Sequence, residues 1–454
     1  MNHLNGKSVA ELKTTLKSMN MINNISTLTK DQTITAIRSV ETYKNNKQDN
    51  YKIFKFGNRS INLNDEQYNI VTAPIPHNMR VIAAAGSGKT STLICRIKYL
   101  IDHGIDPECI MVTSFNVDAA GTIKQRLTEL FGFLPKVEIG TFDGISCKLY
   151  YKYFRTNYKI SVSEYSSYLL KYLQTEGNLV SNIYKYIFFD EFQDVSETQF
   201  RILKHFHDKG AYLTVIGDDA QNIYQFRGSD VRYILNLDIV IQNLKTYKLV
   251  NNYRSTPEII NFANASIINN TEQIVKKMIP NHASINKLPI VKHFDRSFEQ
   301  NKEILDQILE MNKNGIPFDE IAILSRNNWA LKELEEAIEK HNCSKDAINN
   351  TVSKIKYVAL ISDSNSDIKP NIKIDHITMT TIHKSKGLEW QVVFLIDVND
   401  KKFPSTVDKT SIQEERRLFY VAVTRSKKEL FIYFSSNNKN PNEKAKLTRF
   451  VQEL

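Results

Sequence analysis

A chain of 454 residues, 41% hydrophobic and 24% charged, has the composition of a globular protein with room for two or three domains. No apolar run approaches the roughly 18–20 residues of a membrane span, and the N-terminal MNHLNGKSVAELK lacks the apolar core of a secretion signal, so an intracellular protein (nucleus or cytoplasm) is expected. The net charge of +10 favours a polyanionic partner such as nucleic acid, while four cysteines without CxxC spacing indicate neither zinc nor a disulfide framework.

Residues 1–45 read as two short helices around a turn. SVAELKTTLKSM places Val9, Leu12 and Leu16 on one face behind the N-cap candidate Ser8, and a second helix from Lys30 to about Thr42 buries Ile34 and Ile37. The VAELK run and its apolar spacing resemble a SAP-type helix-extended-helix module, which would imply duplex DNA contact. A helical cap packed on the rest of the protein explains the same pattern. Tyr43–Tyr51, rich in Lys, Asn and Gln, reads as a linker.

From Phe54 the chain alternates strands and helices, the mark of mostly parallel sheets. Predicted strands are Arg80–Ala84, Ile110–Ser114, Val137–Gly140, Tyr186–Asp190, Tyr212–Gly217 and Lys245–Val250. A second series comprises Pro289–Phe294, Ile321–Ser325, His376–Thr381, Val392–Ile396 and Leu430–Phe434. Two α/β domains follow, over residues 46–250 and 251–454.

Ala83–Thr90, AAAGSGKT, joins the first strand to the amphipathic KTSTLICRIKYLI. It matches the P-loop, a turn whose backbone N–H groups wrap nucleotide phosphates. Ala85, Gly86, Ser87 and Gly88 form the turn, and Ser91 continues the helix whose N-terminus favours anions. Lys89 supplies charge to the β/γ phosphates, and the Thr90 hydroxyl can ligate Mg²⁺.

YIFFDEFQD, Tyr186–Asp194, then delivers Asp190 and Glu191 from the end of an apolar strand. Asp190 can hold Mg²⁺, and Glu191 can orient and deprotonate an attacking water.

With these two motifs in place, the ordered remainder resembles a superfamily 1 helicase of the UvrD/Rep/PcrA type over residues 60–435. LNDEQ (Leu63–Gln67) resembles the Q-motif, TSFNVDAA (Thr113–Ala120) motif Ia and GTFDG (Gly140–Gly144) motif Ib. VIGDDAQNIYQFRGS (Val215–Ser229) resembles motif III, and NNYRSTPEII (Asn251–Ile260) motif IV. TTIHKSKGLEW (Thr380–Trp390) and EERRLFYVAVTRSKKEL (Glu414–Leu430) are similar to motifs V and VI.

The resemblance implies two RecA-like parallel-sheet motor domains of the P-loop NTPase fold, with ATP in the cleft between them. Gln67 would read the adenine edge, Gln221 sense the γ-phosphate, and Arg254 and Arg425 act as arginine fingers on transition-state charge. Tyr253 would stack on adenine and Glu389 contact the ribose, although a core tyrosine and a helix-capping glutamate explain those two as well. Phe115, Thr141, Tyr224, Phe226 and Arg227 would line a single-strand track, with His383 coupling it to the nucleotide.

Departures fall on the track. Asp143 stands where relatives often carry His, Val117 and Asp118 replace Asn-Lys, and Phe226 occupies a position often held by Trp. Two bulky accessory domains of full-length relatives have no room here. CKLYYKYFRTNYK (Cys147–Lys159) is either a basic aromatic face for nucleic acid or a packed amphipathic helix, and Asn342–Asp375 is polar and partly flexible by composition.

The expected protein is therefore an ATP- and Mg²⁺-dependent DNA helicase or translocase. It would move 3′ to 5′ on single-stranded DNA and unwind duplex DNA in repair, recombination, replication or transcription. One alternative strips proteins from a strand or acts on RNA. Another, of a different class, is a nucleic-acid-binding scaffold with a degenerate motor.

Overall fold

A computed structural model describes residues 4–45, 50–154, 161, 164–175, 183–344, 353–360, 375–405, 411–436 and 445–454. By internal contacts the chain divides into two units. The first comprises residues 1–83, 88–218 and 227–249, and the second 84–87, 219–226 and 250–454. The division thus differs from a single break at 250: the P-loop turn 84–87 and the segment 219–226 group with the second unit. Residues 1–45 are not a unit of their own.

The first unit opens with α1 (Val9–Ser18) and α2 (Lys30–Asn45). A capping box starts α1, the Ser8 N–H reaching Glu11 Oε2 at 2.7 Å and the Glu11 N–H reaching Ser8 Oγ at 3.3 Å. Leu12, Leu16, Ile37 and Val40 are fully buried in one core with Phe131, Phe133 and the sheet behind them. Met21 and Ile22 pair with Lys136 and Pro135, fixing the module to the loop after residue 131. The predicted linker is firmly held at both ends. Tyr43 donates its hydroxyl to the buried Asp102 carboxylate, which also accepts Tyr51 Oη at 3.1 Å and pairs with Lys98 at 2.8 Å. Residues 46–49 of that stretch lie outside the described residues.

A hairpin of β1 (Ile53–Phe56) and β2 (Arg59–Asn62) precedes α3 (Asp65–Val71). The main sheet contains β3 (Asn78–Ala83), β4 (Ile110–Ser114), β5 (Glu138–Thr141), β6 (Tyr186–Phe189), β7 (Tyr212–Gly217) and β8 (Leu244–Leu249). All pairings are parallel, in the order β5-β4-β6-β7-β3-β8. Every residue of β3 and β4 is buried, as a parallel sheet covered on both faces requires. Helix α4 (Lys89–Asp102) follows β3, α5 (Val117–Phe131) follows β4, and α6 (Phe142–Phe154) follows β5; α7 (Tyr165–Thr175) packs on α6. Of the predicted run Cys147–Lys159, residues 155–159 lie outside the described residues. Because β6, β7 and β3 are neighbours, the residues after all three strands emerge at one edge of the sheet.

The second unit holds β9 (Asn251–Asn252) paired with β10 (Ile279–Pro280), and a second six-stranded parallel sheet. Its strands are β11 (Ile290–Phe294), β12 (Ile321–Ser325), β13 (Tyr357–Leu360), β14 (Ile377–Thr381), β15 (Trp390–Ile396) and β16 (Ser426–Ser435), in the order β11-β16-β15-β12-β14-β13. The helix Ile412–Val423 is buried from Glu414 to Val423, including Glu415, whose carboxylate takes a bidentate ion pair from Arg326. Strand β13 corrects the expectation for Asn342–Asp375. The short apolar YVAL pairs in parallel with β14 and closes that edge of the sheet, and residues 345–352 and 361–374 around it lie outside the described residues.

Candidate functional site

In the first unit, Gly88 caps α4 in the left-handed region at φ +80°, where a side chain is disfavoured. A Cβ there would also lie 2.8 Å from Gln67 Nε2. Gln67 is itself held twice, its backbone and side chain forming a capping box with Asn64 at 2.8 and 3.2 Å. Arg96, buried in the middle of α4, donates to the carbonyls of Val71, Ala73 and Pro74 at 3.0, 2.5 and 2.9 Å. Burial lowers its pKa to about 10, so it stays charged at neutral pH. The end of α3 is thereby tied to the helix that begins at Lys89.

Past Gly88, Lys89 Nζ lies 3.4 Å from Glu191 Oε1, and Thr90 Oγ1 lies 3.4 Å from Asp190 Oδ2. Asp190 is buried, and burial followed by the neighbouring Glu191 carboxylate pushes its carboxyl up to about 7, against the pull of Lys89. Glu191 adopts φ +57°, a conformation rare for a residue with a side chain, and its N–H donates to Asp190 Oδ1 at 3.0 Å. Such strain persists where surrounding contacts enforce it, and Gln193 supplies one. Its Nε2 donates to Glu191 Oε2 at 2.7 Å while its Oε1 accepts the Asp218 N–H at 2.9 Å. Ser91 Oγ accepts from Arg126 at 3.1 Å.

Among the track candidates of this unit, Phe115 is 40% exposed directly after β4. Ser114 and Thr141 are register partners, which sets Phe115 and Thr141 at adjacent strand ends. Thr141 Oγ1 accepts the Gly144 N–H at 3.1 Å, opening α6. Asp143 accepts the Ser166 hydroxyl at 2.6 Å, so its carboxylate serves the α6–α7 contact. Arg227 is exposed in the short turn Gln225–Arg227.

In the second unit, the turn 84–87 meets the segment after β8. Asn252 Nδ2 donates to the Ala85 carbonyl at 2.8 Å and the Tyr253 N–H to the Gly86 carbonyl at 2.9 Å. Gly86 has φ +65°, and a Cβ there would stand 2.8 Å from Arg254 Cβ and 2.9 Å from Asn252 Nδ2. Ser87 is buried. Asn252 Oδ1 accepts the N–H groups of both Arg254 and Ser255 at 2.8 Å. The Tyr253 ring is 38% exposed and its carbonyl faces His282 Nε2 at 2.8 Å.

Arg254 and Arg425 are brought together with Glu389. Arg254 Nε lies 2.5 Å from Glu389 Oε2 and its Nη1 donates to the Thr424 carbonyl at 3.1 Å. Burial would raise the Glu389 carboxyl, but Arg254, then Lys427 and Arg425, overcome it and hold the pKa below its ordinary value. Arg425 is 1% exposed, with its guanidinium on the Val421 carbonyl (2.9 Å), the Leu388 carbonyl (3.0 Å) and Thr424 Oγ1 (3.1 Å).

Gln221 is buried, and its carbonyl accepts Lys386 Nζ at 2.8 Å; that ammonium also lies 5.1 Å from the Tyr224 ring centre. Tyr224 is only 8% exposed and donates to the His383 carbonyl at 3.0 Å. Phe226 is 61% exposed, 5.5 Å from the His383 ring and edge-on to it. Tyr224 therefore supports this group from within the core rather than offering an open face. Three residues were not singled out from the sequence. Gln193 and Asn252 sit inside recognised motifs, DEFQD and NNYRS, where a polar residue within two positions of a charged one was the available signal. Arg96 lies in an ordinary helical pattern and gave none.

A glycine turn closed by Lys and Thr at the end of parallel strand β3, beside paired carboxylates after β6, one strand removed across β7, defines a P-loop nucleotide-hydrolysing protein. Residues 63–168 and 147–241 match the UvrD/REP helicase N-terminal domain, and 247–358 and 344–437 match the UvrD-like helicase C-terminal domain. The chain belongs to the UvrD-like helicase family. A relative from Acanthamoeba polyphaga mimivirus, described as an ATP-dependent DNA helicase, is 28% identical over 82% of this chain and 54% of its own length. A probable DNA helicase of Mycoplasma pneumoniae is 24% identical over 82% of this chain and 83% of its own. The ATP-dependent DNA helicase Rep of Buchnera aphidicola is 24% identical over 68% and 63%. The chain thus spans about half the length of the mimiviral relative. No helix among the described residues is long and apolar enough to cross a membrane.

Proposed function

We propose that this chain is an ATP- and Mg²⁺-dependent motor that moves 3′ to 5′ along single-stranded DNA and separates duplex DNA. The observation that carries the reading is the placement of Lys89 and Thr90 each 3.4 Å from one of the two carboxylates Glu191 and Asp190. Thr90 and Asp190 offer hard oxygen donors suited to Mg²⁺, which would neutralise phosphate charge when bound. Lys89 is the cation for the β/γ phosphates, and Gly86 and Gly88 keep the turn open to them. Gln67 recognises the adenine, with Tyr253 stacking on it and Glu389 at the ribose. Glu191, oriented by Gln193, aligns the attacking water and takes its proton. Gln221 senses the γ-phosphate, and Arg254 and Arg425 stabilise the charge that develops on the transferred group. Glu389 must then share Arg254 between itself and phosphate.

Strand binding falls to Phe115, Thr141, Phe226 and Arg227, with Tyr224 and His383 bracing Phe226. Aromatic stacking accepts any base, which suits a motor that must pass all sequences. The test is ATP hydrolysis without nucleic acid, then with single-stranded DNA, duplex DNA and single-stranded RNA, beside Lys89→Ala. Strong stimulation by single-stranded DNA, absent in the variant, is expected. Equal stimulation by RNA would overturn the choice of DNA, and hydrolysis unaffected by Lys89→Ala would overturn the site.

A further inference from the structure

Helices α6 and α7 carry a feature that the strand track leaves unused. Tyr150 and Tyr165 are buried between them at 4% and 6% exposure, and two further tyrosines stand on this floor. Tyr151 lies 5.4 Å from Tyr150 and 5.8 Å from Tyr165 between ring centres, its hydroxyl 2.9 Å from that of Tyr165. Tyr168 lies 5.8 Å from Tyr150. Both outer rings are open to solvent, Tyr151 at 39% and Tyr168 at 41%. Exposed tyrosines held edge-on by a buried aromatic floor are rigid, which lowers the entropy lost on stacking.

Cations stand beside these rings. Lys148, Lys152 and Lys171 are exposed on the same two helices. Of the nearby carboxylates, Glu138 pairs with Lys148, while Asp143 and Glu164 keep their charge and accept hydrogen bonds from Ser166 and Ser161. Lys152 and Lys171 pair with no carboxylate among the described residues. The patch lies on the helix that leads away from the track, because α6 starts at Phe142, next to Thr141, and reaches Tyr151 about 14 Å further on at 1.5 Å per residue.

We propose that this face of α6 and α7 is a stacking platform for unpaired bases of single-stranded nucleic acid. Tyr151 and Tyr168 supply the rings, and Lys152 and Lys171 contact the phosphates. The inference rests on the reading of the chain as a strand-binding motor, and it extends the strand path beyond Thr141. A packed amphipathic helix alone would leave both rings without a task.

The test compares Tyr151→Ala/Tyr168→Ala with Tyr151→Phe/Tyr168→Phe, at fixed salt, by fluorescence anisotropy. Oligothymidylates of about 8 and about 20 nucleotides separate a strand confined to the central track from one that reaches the platform. The alanine pair is expected to weaken the longer oligonucleotide by about tenfold or more and the shorter one little, given the stacking contribution usual per base. The phenylalanine pair should retain the affinity, since the ring and not the hydroxyl stacks. If the alanine pair does not fold, Lys152→Gln/Lys171→Gln carries the test: two lost phosphate contacts lower the salt slope by about 1.4. Unchanged affinity for the longer oligonucleotide, an equal loss with phenylalanine, a loss seen only with blunt duplex, or an unchanged salt slope overturns the platform. Failure of the unmodified chain to bind either oligonucleotide would instead sink the motor reading beneath it.

Discussion

Gly217→Ala should disable hydrolysis from a position that touches no nucleotide. A Cβ at Gly217 would fall 2.6 Å from Gln193 Oε1, 2.7 Å from Ile234 Cδ1 and 3.0 Å from the Gln193 backbone nitrogen. The φ of Gly217 is not in the left-handed region, so the whole effect is steric rather than conformational. Overpacking of this kind costs about 1–3 kcal/mol. If the structure holds, that appears as a melting temperature lower by roughly 2–4 °C per kcal/mol for a unit of this size. If Gln193 gives way, Glu191 loses the amide at 2.7 Å that orients it, and kcat falls while KM for ATP changes little. The matched control is Gly121→Ala, in the middle of α5 with open space around its Cβ. Removing a helical glycine there should stabilise by about 0.5–1 kcal/mol without touching kcat. Calorimetry and steady-state ATPase measurements on both variants decide the matter. A Gly217→Ala protein with unchanged melting temperature and unchanged kcat would refute the role given to Gln193.

Three further outcomes are expected. Asp397, buried at φ +59°, has its carboxyl raised by burial to about 6 despite Lys402 at 2.8 Å. A raised folded pKa means stability declines as pH climbs from about 4 to about 6, so Asp397→Asn should gain up to about 2 kcal/mol at pH 7.5 and much less at pH 4.5, read by chemical denaturation at both. Asp102→Ala should destabilise the first unit by about 3–5 kcal/mol, because it strands the buried Lys98, whereas Tyr43→Phe should cost only about 1–2 kcal/mol in the same denaturation assay. Asp143→His should raise single-strand affinity at fixed salt by removing a negative charge beside Thr141, with a stability loss of about 1 kcal/mol from the broken Ser166 contact; no gain in affinity would show that Ser166 already occupies that charge.

Local patterns carried far in this chain. The apolar runs at Ile110–Ser114 and Ile321–Ser325 announced buried parallel strands, and each was found with the predicted bounds. The P-loop and DEFQD were legible because their chemistry is concentrated in consecutive residues: a turn that needs glycine, and carboxylates at a strand end. Strand β13 escaped notice because four apolar residues in a polar stretch become a strand only when β14 offers an edge to pair with. The β1–β2 hairpin was missed for a similar reason, its alternation being too short to stand out.

Tertiary structure decided what acts on what. Gln193, Arg96 and Asn252 matter through partners 20 to 170 positions away or through a carboxylate two residues off, and no periodicity encodes such pairings. It also decided that Tyr43 and Tyr51 are anchors rather than linker, since a buried carboxylate at the end of α4 must have its hydrogen bonds satisfied. Tyr224 and Phe226, two residues apart in one motif, end with opposite exposures because the His383 carbonyl and Lys386 claim the first and leave the second to solvent. Residue type and spacing determined which chemistry the chain carries; burial and long-range partners determined which side chains are free to perform it.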